Sequence, residues 1–259
     1  LKRCNELQIL VPFSGGKDSL AALLLSLDAL QNYTAKNHTL YVVYVNTTNE
    51  FPETVDYVNK VFNKIEKNYR KINLNCVVLR PKKVFSDFME AVFKKATEMV
   101  IKKKWYKRNL TCCIHLKERP VKRFAIENEV NLIVSGMRGN ESTRRFFYLY
   151  DHGPIDYQWG IRRVWPLWDW TFKQVLDYIV MHNPRFYLNK VYRMGFTGTG
   201  CLLCPVKFVF GKNNDLIALK EHYPNAYKLG IRLIKNALKE MKIPPERIPK
   251  SLKELIIYE

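Results

Sequence analysis

Ser14-Gly15-Gly16-Lys17-Asp18-Ser19 stands between an apolar, β-like run at residues 7–13 and a Leu/Ala-rich, helix-like run at residues 20–30. A strand that passes through paired glycines into a helix makes an anion-binding turn. The glycines let the backbone approach an anion without Cβ interference, and the first N–H groups of the following helix have no intrahelical acceptor. Lys17 adds a positive charge, Ser14 and Ser19 add hydroxyl donors, and Asp18 is suited to capping the helix or helping to hold magnesium. The spacing is not the Gly-x-x-x-x-Gly-Lys-Ser/Thr of the loop that grips β- and γ-phosphates.

Outward from this turn, strand and helix patterns alternate. Residues 39–45 read as a second strand, followed by a helix with Val55, Val58, Val61, Phe62 and Ile65 at helical spacing. Residues 74–79 read as a third strand and 87–104 as an amphipathic helix with a basic face. A helix over 115–129 and a short strand at 131–135, ending at Gly136, follow. This alternation predicts an α/β fold with a doubly wound, mostly parallel sheet. In such sheets ligands bind beyond the carboxyl ends of the strands, where the Ser14, Asn46 and Gly136 loops all fall. Beyond Trp170 the pattern is helical, at 171–182 with Thr171 as cap and Pro184 as stop, at 215–222 and at 226–241. The expected organisation is a nucleotide-binding α/β domain over residues 1–170 and a helical C-terminal region over 171–259.

Composition narrows the classes. Of 259 residues, 47% are hydrophobic and 13% aromatic, which are globular values, and no apolar run is long enough to span a bilayer. No charged segment followed by an apolar one precedes the first strand, so no secretory leader is expected and the protein reads as cytoplasmic. The formal net charge of +19 favours a polyanionic partner such as nucleic acid or a highly charged nucleotide. The densest basic spots are Lys94-Lys95, residues 102–108 with Trp105 and Tyr106 interleaved, and Arg144-Arg145. The six cysteines argue for metal binding or catalysis and against a disulfide framework.

Several segments join the Ser14 loop in resembling the 3′-phosphoadenylylsulfate (PAPS) reductase family, and the loop itself looks like that of ATP pyrophosphatases, which cleave between the α- and β-phosphates. Asn46-Thr47-Thr48-Asn49-Glu50-Phe51-Pro52-Glu53-Thr54 resembles the family's Asp-Thr-Gly-x-x-Phe-Pro-Glu-Thr, with Asn46 and Thr48 departing from its Asp and Gly. Ser135-Gly136-Met137-Arg138-Gly139-Asn140-Glu141-Ser142, continuing to Arg145, resembles Gly-x-Arg-x-x-Glu-Ser-x-x-Arg, where the arginines face phosphate or sulfate oxygens. Arg138 and Arg145 supply planar, permanently charged forks suited to such oxyanions. Trp165-Pro166-Leu167-Trp168-Asp169-Trp170-Thr171 is similar to the family's Pro-Ile-x-x-Trp-Thr, and its aromatics read as core packing. The resemblance covers roughly residues 7–205.

Cys112-Cys113 and Cys201-Leu202-Leu203-Cys204 are two close thiol pairs that together suit a four-sulfur site. The arrangement resembles the cluster-bearing adenylylsulfate (APS) reductases and implies a 4Fe-4S cluster, with zinc as the alternative. Cys76 in a predicted strand reads as a buried small hydrophobe, and Cys4 carries no assignment. Reductases of the family attack their sulfonucleotide with a cysteine near the C-terminus, and no cysteine follows Cys204 in this sequence.

Three functions follow as expectations. The first is an enzyme of sulfur metabolism that cleaves ATP with Mg2+, attaches AMP to an acceptor such as nucleic acid, and lets sulfur displace it. Lys17, Asp18, Arg138 and Arg145 are its catalytic candidates. Ser14, Gly15, Gly16, Ser19, Asn46, Thr47, Thr48, Gly136, Glu141 and Ser142 join Lys17, Asp18 and Arg138 as nucleotide contacts. The second is an APS or PAPS reductase whose nucleophile lies outside this sequence or comes from a partner. The third is a nucleotide- or nucleic-acid-binding subunit without turnover. The implied partners are ATP or a sulfonucleotide, a sulfur or electron donor protein, and a second copy of the chain in a homo-oligomer.

Overall fold

The computed structural model describes residues 6–32, 38–103, 110–182, 187–210 and 213–257. In chain order the elements are β1 (Leu7–Pro12), α1 (Lys17–Asn32), β2 (His38–Val45), α2 (Pro52–Asn68), β3 (Leu74–Leu79), α3 (Met89–Ile101), α4 (Thr111–Cys113), α5 (Arg119–Glu127), β4 (Leu132–Val134), α6 (Thr143–His152), β5 (Ile155–Gln158), β6 (Ile161–Val164), α7 (Phe172–His182), α8 (Pro205–Phe210), α9 (Asn213–His222), α10 (Pro224–Glu240) and α11 (Lys250–Ile257). Cys4, Pro184 and residues 104–108 of the basic, aromatic segment lie outside the described residues.

The chain divides into two compact units: residues 1–46, 52–80 and 120–190 form the first, and 47–51, 81–119 and 191–259 the second. This differs from a single cut after residue 170. Residues 81–119, with the first cysteine pair, belong with the C-terminal helices, and 171–190 belong with the sheet. Such a discontinuous division is set by which side chains share a core, and no shift in local composition marks it.

In the first unit the described strands form one six-stranded sheet in the order β3-β2-β1-β4-β6-β5. All neighbours are parallel except β5 and β6. Alternation along β1 sends Ile9 and Val11 into one core with Leu20, Leu23, Leu24 and Leu27 of α1 and Val58, Phe62 and Ile65 of α2. Leu10 points the other way, into a second core with Val43, Ile133, Ala125 and Ile161. Both faces are therefore covered, as a parallel sheet requires. The winding reverses between β1 and β4, which is the topological switch point of the sheet.

Two elements of this unit were not expected. Residues 143–152, to which the sequence pattern assigns no element, form α6. Residues 155–164 form the β5–β6 hairpin, whose turn residues Trp159 and Gly160 have φ of 57° and 78°. Positive φ at both central positions is the type I′ geometry, usually signalled by Asn-Gly or Asp-Gly, and Trp-Gly hides it.

The second unit is helical in its described residues. Its core gathers Phe51, Phe85, Phe93, Phe208, Leu203, Ile234 and Leu238. The helical stretch expected from 115 begins at Thr111, and Ile114–Glu118 adopts π geometry directly after Cys112-Cys113. Among the described residues no helix is long and apolar enough to cross a membrane.

Candidate nucleotide and cysteine sites

In the first unit, the loop after β1 closes on the start of α1. The Gly16 carbonyl accepts the Leu20 N–H at 2.9 Å, which sets the first helical turn at Lys17-Asp18-Ser19. Gly15 has φ of +73°, the left-handed region, and a Cβ on it would stand 3.0 Å from Thr54 and 3.3 Å from Val58. Ser19 does not present its hydroxyl as a simple ligand donor. Its Oγ donates to the Gly16 carbonyl at 2.9 Å and accepts the Ser14 N–H at 3.2 Å, so it staples the loop. Ser14 is the exposed hydroxyl of the pair, 3.1 Å from Ser19 Oγ.

Asp18 lies between two cations. Lys17 Nζ is 2.8 Å from Asp18 Oδ2, and Arg138 Nε donates to Asp18 Oδ1 at 2.5 Å. Lys17 and Arg138 are both buried. The Lys17 ammonium also sits 5.3 Å from the centroid of the Phe172 ring, and Arg138 donates to the Trp170 carbonyl at 3.2 Å. Arg145 shares this field. Burial pulls its pKa below the usual guanidinium value, attraction to Asp18 opposes that shift, and repulsion from Arg138 adds to it. Arg145 pairs with Glu141, and Ser142 caps α6 by accepting the Arg145 N–H at 3.3 Å. Glu141 and Ser142 are thus engaged within their own segment. Three cations and two carboxylates meet at the positive end of a helix, an arrangement that favours an added anion.

Gly136 fixes how close the two loops come. A Cβ there would lie 2.4 Å from the Asp18 carbonyl oxygen and 2.9 Å from the Ser19 nitrogen. Only a residue without a side chain lets the β4 loop rest on the first turn of α1.

Asn189 was not singled out from sequence. It is 1% exposed, and its amide donates to the Gly15 carbonyl at 3.3 Å and to Thr54 Oγ1 at 3.0 Å. The only signal was a polar residue in an otherwise unremarkable stretch. Asn189→Ala is expected to cost about 1–3 kcal/mol, because a buried carbonyl and hydroxyl lose this donor. Denaturant unfolding measures that cost.

In the second unit, Thr47 lines the cavity that holds the cysteines. The Thr47 N–H and hydroxyl donate to the Glu50 carboxylate at 2.8 and 2.6 Å. Thr48 has φ of 68°, left-handed backbone that suits the family's glycine at this position, and its hydroxyl accepts the Phe85 N–H at 3.2 Å. Asn46 belongs to the first unit, where its N–H donates to the Leu79 carbonyl at 2.9 Å. Asn49 carries no motif signal in the sequence, yet it braces the second thiol pair. Its side chain accepts the Leu203 N–H at 3.0 Å and donates to the Leu203 carbonyl at 3.2 Å, and its carbonyl accepts the Leu202 N–H at 2.7 Å. These bonds hold the Cys201-to-Cys204 turn.

Cys112, Cys113, Cys201 and Cys204 line one cavity of about 30 Å³, with Thr47, Leu116 and Lys117 also on its wall. All four are free thiols. A hydrogen bond from the Cys112 thiol is the main cause that lowers Cys113 to about 6, despite burial, and Lys117 assists. The same bond raises Cys112. Burial, and then the charge of Cys201, pushes Cys204 up to about 11. Burial works to lower Lys117 but is outweighed by attraction to Cys201, Glu50 and Cys113, so it stays charged. Among the described residues no three of His, Cys, Asp and Glu are drawn together at metal-binding geometry. The donor set is nevertheless four soft sulfurs lining one cavity with Lys117, which by its chemistry fits a group that binds four thiolates. Cys76, partly exposed in β3, is raised by burial first and then by Glu66, and stands apart in the first unit.

Residues 8–207 match the phosphoadenosine phosphosulfate reductase domain. The chain belongs to that family. A protein of Methanocaldococcus jannaschii is 28% identical to this PAPS reductase family chain over 225 residues, covering 86% of this chain and 46% of its own length. The adenosine 5′-phosphosulfate reductase of Bacillus cereus is 23% identical over 168 residues, covering 65% of this chain and 63% of its own. The chain therefore spans less than two thirds of either relative. Among solved structures, the U34-tRNA thiolase NcsA from Methanococcus maripaludis, with its 4Fe-4S cluster, aligns with 93% of this chain and 73% of its own at 16% identity and a TM-score of 0.48.

Proposed function

We propose that the chain cleaves ATP between its α- and β-phosphates, transfers AMP to an acceptor with release of pyrophosphate, and supports displacement of that AMP by sulfide as the nucleophile. The observation that carries this reading is the convergence of Lys17, Arg138 and Arg145 on Asp18 at the N-terminus of α1. A triphosphate docked there would meet helix amides, an ammonium and two guanidinium forks, all in place before it arrives. Preorganised donors of this kind stabilise charge that develops on a departing pyrophosphate. Lys17 would follow that leaving group, while Arg138 and Arg145 would hold the phosphoryl oxygens in line with the acceptor. Mg2+ accompanying ATP would offset the remaining charge.

The four cysteines would hold a 4Fe-4S cluster, which when bound supplies sulfur or electron chemistry that protein side chains lack. Lys117 would balance part of its negative charge. Anaerobic reconstitution with iron and sulfide tests this: iron and labile sulfide are expected to remain after gel filtration and to fall at least severalfold in Cys113→Ser and Cys201→Ser. Retention of zinc alone, with no iron, would overturn the cluster assignment.

Product analysis of anaerobic protein with adenine-labelled ATP, magnesium, added nucleic acid as acceptor and sulfide tests the reaction, and AMP and pyrophosphate are the expected products. A second reading, sulfite release from a sulfonucleotide, has its support in the relative named adenosine 5′-phosphosulfate reductase. Sulfite from APS or PAPS with a thiol reductant, and no AMP from ATP, would select it.

A further inference from the structure

The sequence of α6 is amphipathic with its aromatic side turned outward. Tyr148 and Leu149 face the unit: Tyr148 donates to Asp156 of β5, Arg163 of β6 donates to both Tyr148 and Asp156, and Leu149 is buried. The opposite stripe carries Phe146, Phe147 and Tyr150, which are 50%, 59% and 78% exposed. Phe146 and Tyr150 lie one turn apart with nearly parallel rings, 20° between planes and 6.3 Å between centroids, and Phe147 meets Phe146 edge-on at 5.8 Å. Exposing three aromatics on one helix forgoes the burial that such side chains normally contribute, and a patch of this kind marks a binding surface.

The patch continues toward the ATP site. Gly139 lies between Trp168 and Phe146; a Cβ on it would stand 3.1 Å from the Trp168 carbonyl and 3.7 Å from the Phe146 Cα. Trp168 is 39% exposed, and Phe172, whose ring flanks Lys17, is 55% exposed. Exposed rings thus recur from Lys17 to Tyr150. Arg144 is exposed beside the stripe, and Arg145 at the same end of α6 belongs to the cationic cluster.

We propose that this face of α6 binds single-stranded nucleic acid, with bases stacked on Phe146 and Tyr150 and the backbone against Arg144, so that the strand is the acceptor presented to the Lys17 site. The assignment to an acceptor rests on the ATP-cleaving reading. Aromatic rings at successive positions accept bases of any sequence, and a chain of net charge +19 attracts polyanions. The same charge repels a second copy, which makes self-association the weaker occupant of this face.

Fluorescence anisotropy of the full chain without ATP, using a labelled single-stranded oligoribonucleotide, its DNA counterpart and the annealed duplex, tests the surface. Single strands are expected to bind in preference to duplex, and Phe146→Ala and Tyr150→Ala each to weaken binding roughly tenfold. Arg144→Gln is expected to flatten the salt dependence. Because these side chains are exposed, melting temperatures should match the parent, and ATP affinity measured by titration without a strand should be unchanged. Lys17→Ala is expected to bind strands normally. Equal binding by parent and aromatic variants, preference for duplex, or no binding would overturn the proposal. So would sedimentation showing that Tyr150→Ala dissociates a dimer without altering strand affinity. Aromatic-dependent strand binding with no AMP from ATP would leave the surface standing and remove the ATP reading.

Discussion

Lys17→Ala is expected to lower AMP formation from ATP by roughly two to three orders of magnitude, the usual loss when one preorganised donor to a developing anion is removed. The side chain is buried, so its position is set before substrate arrives, and its ammonium lies at the N-terminal turn of α1 beside the Phe172 ring. The fold should survive. Asp18 keeps its bond to Arg138, and the cavity left by Lys17 opens next to a partly exposed ring. Loss of activity with an unchanged melting temperature, read by product analysis and thermal unfolding, is therefore the expected pair of results. AMP formation at the parent rate would remove Lys17 from the chemistry and with it the proposed path of the pyrophosphate.

Gly136→Ala is expected to destabilise the protein by about 3 kcal/mol and to abolish ATP binding, the upper range for a forced overpacking. The added methyl would meet the carbonyl carbon and oxygen of Asp18 at 2.6 and 2.4 Å and the Ser19 nitrogen at 2.9 Å. These are backbone atoms of a helix turn and cannot rotate away as a side chain can. Relief requires the β4 loop and α1 to separate, which would pull Arg138 from Asp18 and open the cationic cluster. Denaturant unfolding and ATP titration measure the two effects. A variant with parent stability would show that the loops adjust freely, contrary to the packing described.

The β-α alternation was legible because its signal is local. The apolar run at residues 74–79 predicts a strand and forms β3, and Thr171, a cap by its place in the sequence, receives the Gln174 N–H at 3.2 Å. Gly-Gly before a Leu-rich helix gave the loop, and the thiol pairs were visible as spacing. The β5–β6 hairpin was missed because Trp159-Gly160 is an unusual type I′ pair, and α6 because its aromatic stripe faces solvent and inverts the usual pattern. Of the aromatic run read as core, Trp165 is buried while Trp168 stands open.

The sequence by itself determined the winding of the sheet, the position of the Gly15-Gly16 turn and the family, since periodicity, turn residues and motif spacing are short-range properties of the chain. Only the tertiary structure decided which residues brace those motifs. Asn189 reaches Gly15 across 174 positions, Asn49 reaches Leu203 across 154, and Arg138 reaches Asp18 across 120. A hydrogen bond that buries a carbonyl or orients a cation depends on where two distant backbones meet. No window of sequence contains both partners, so the loop was visible in advance and its supports were not.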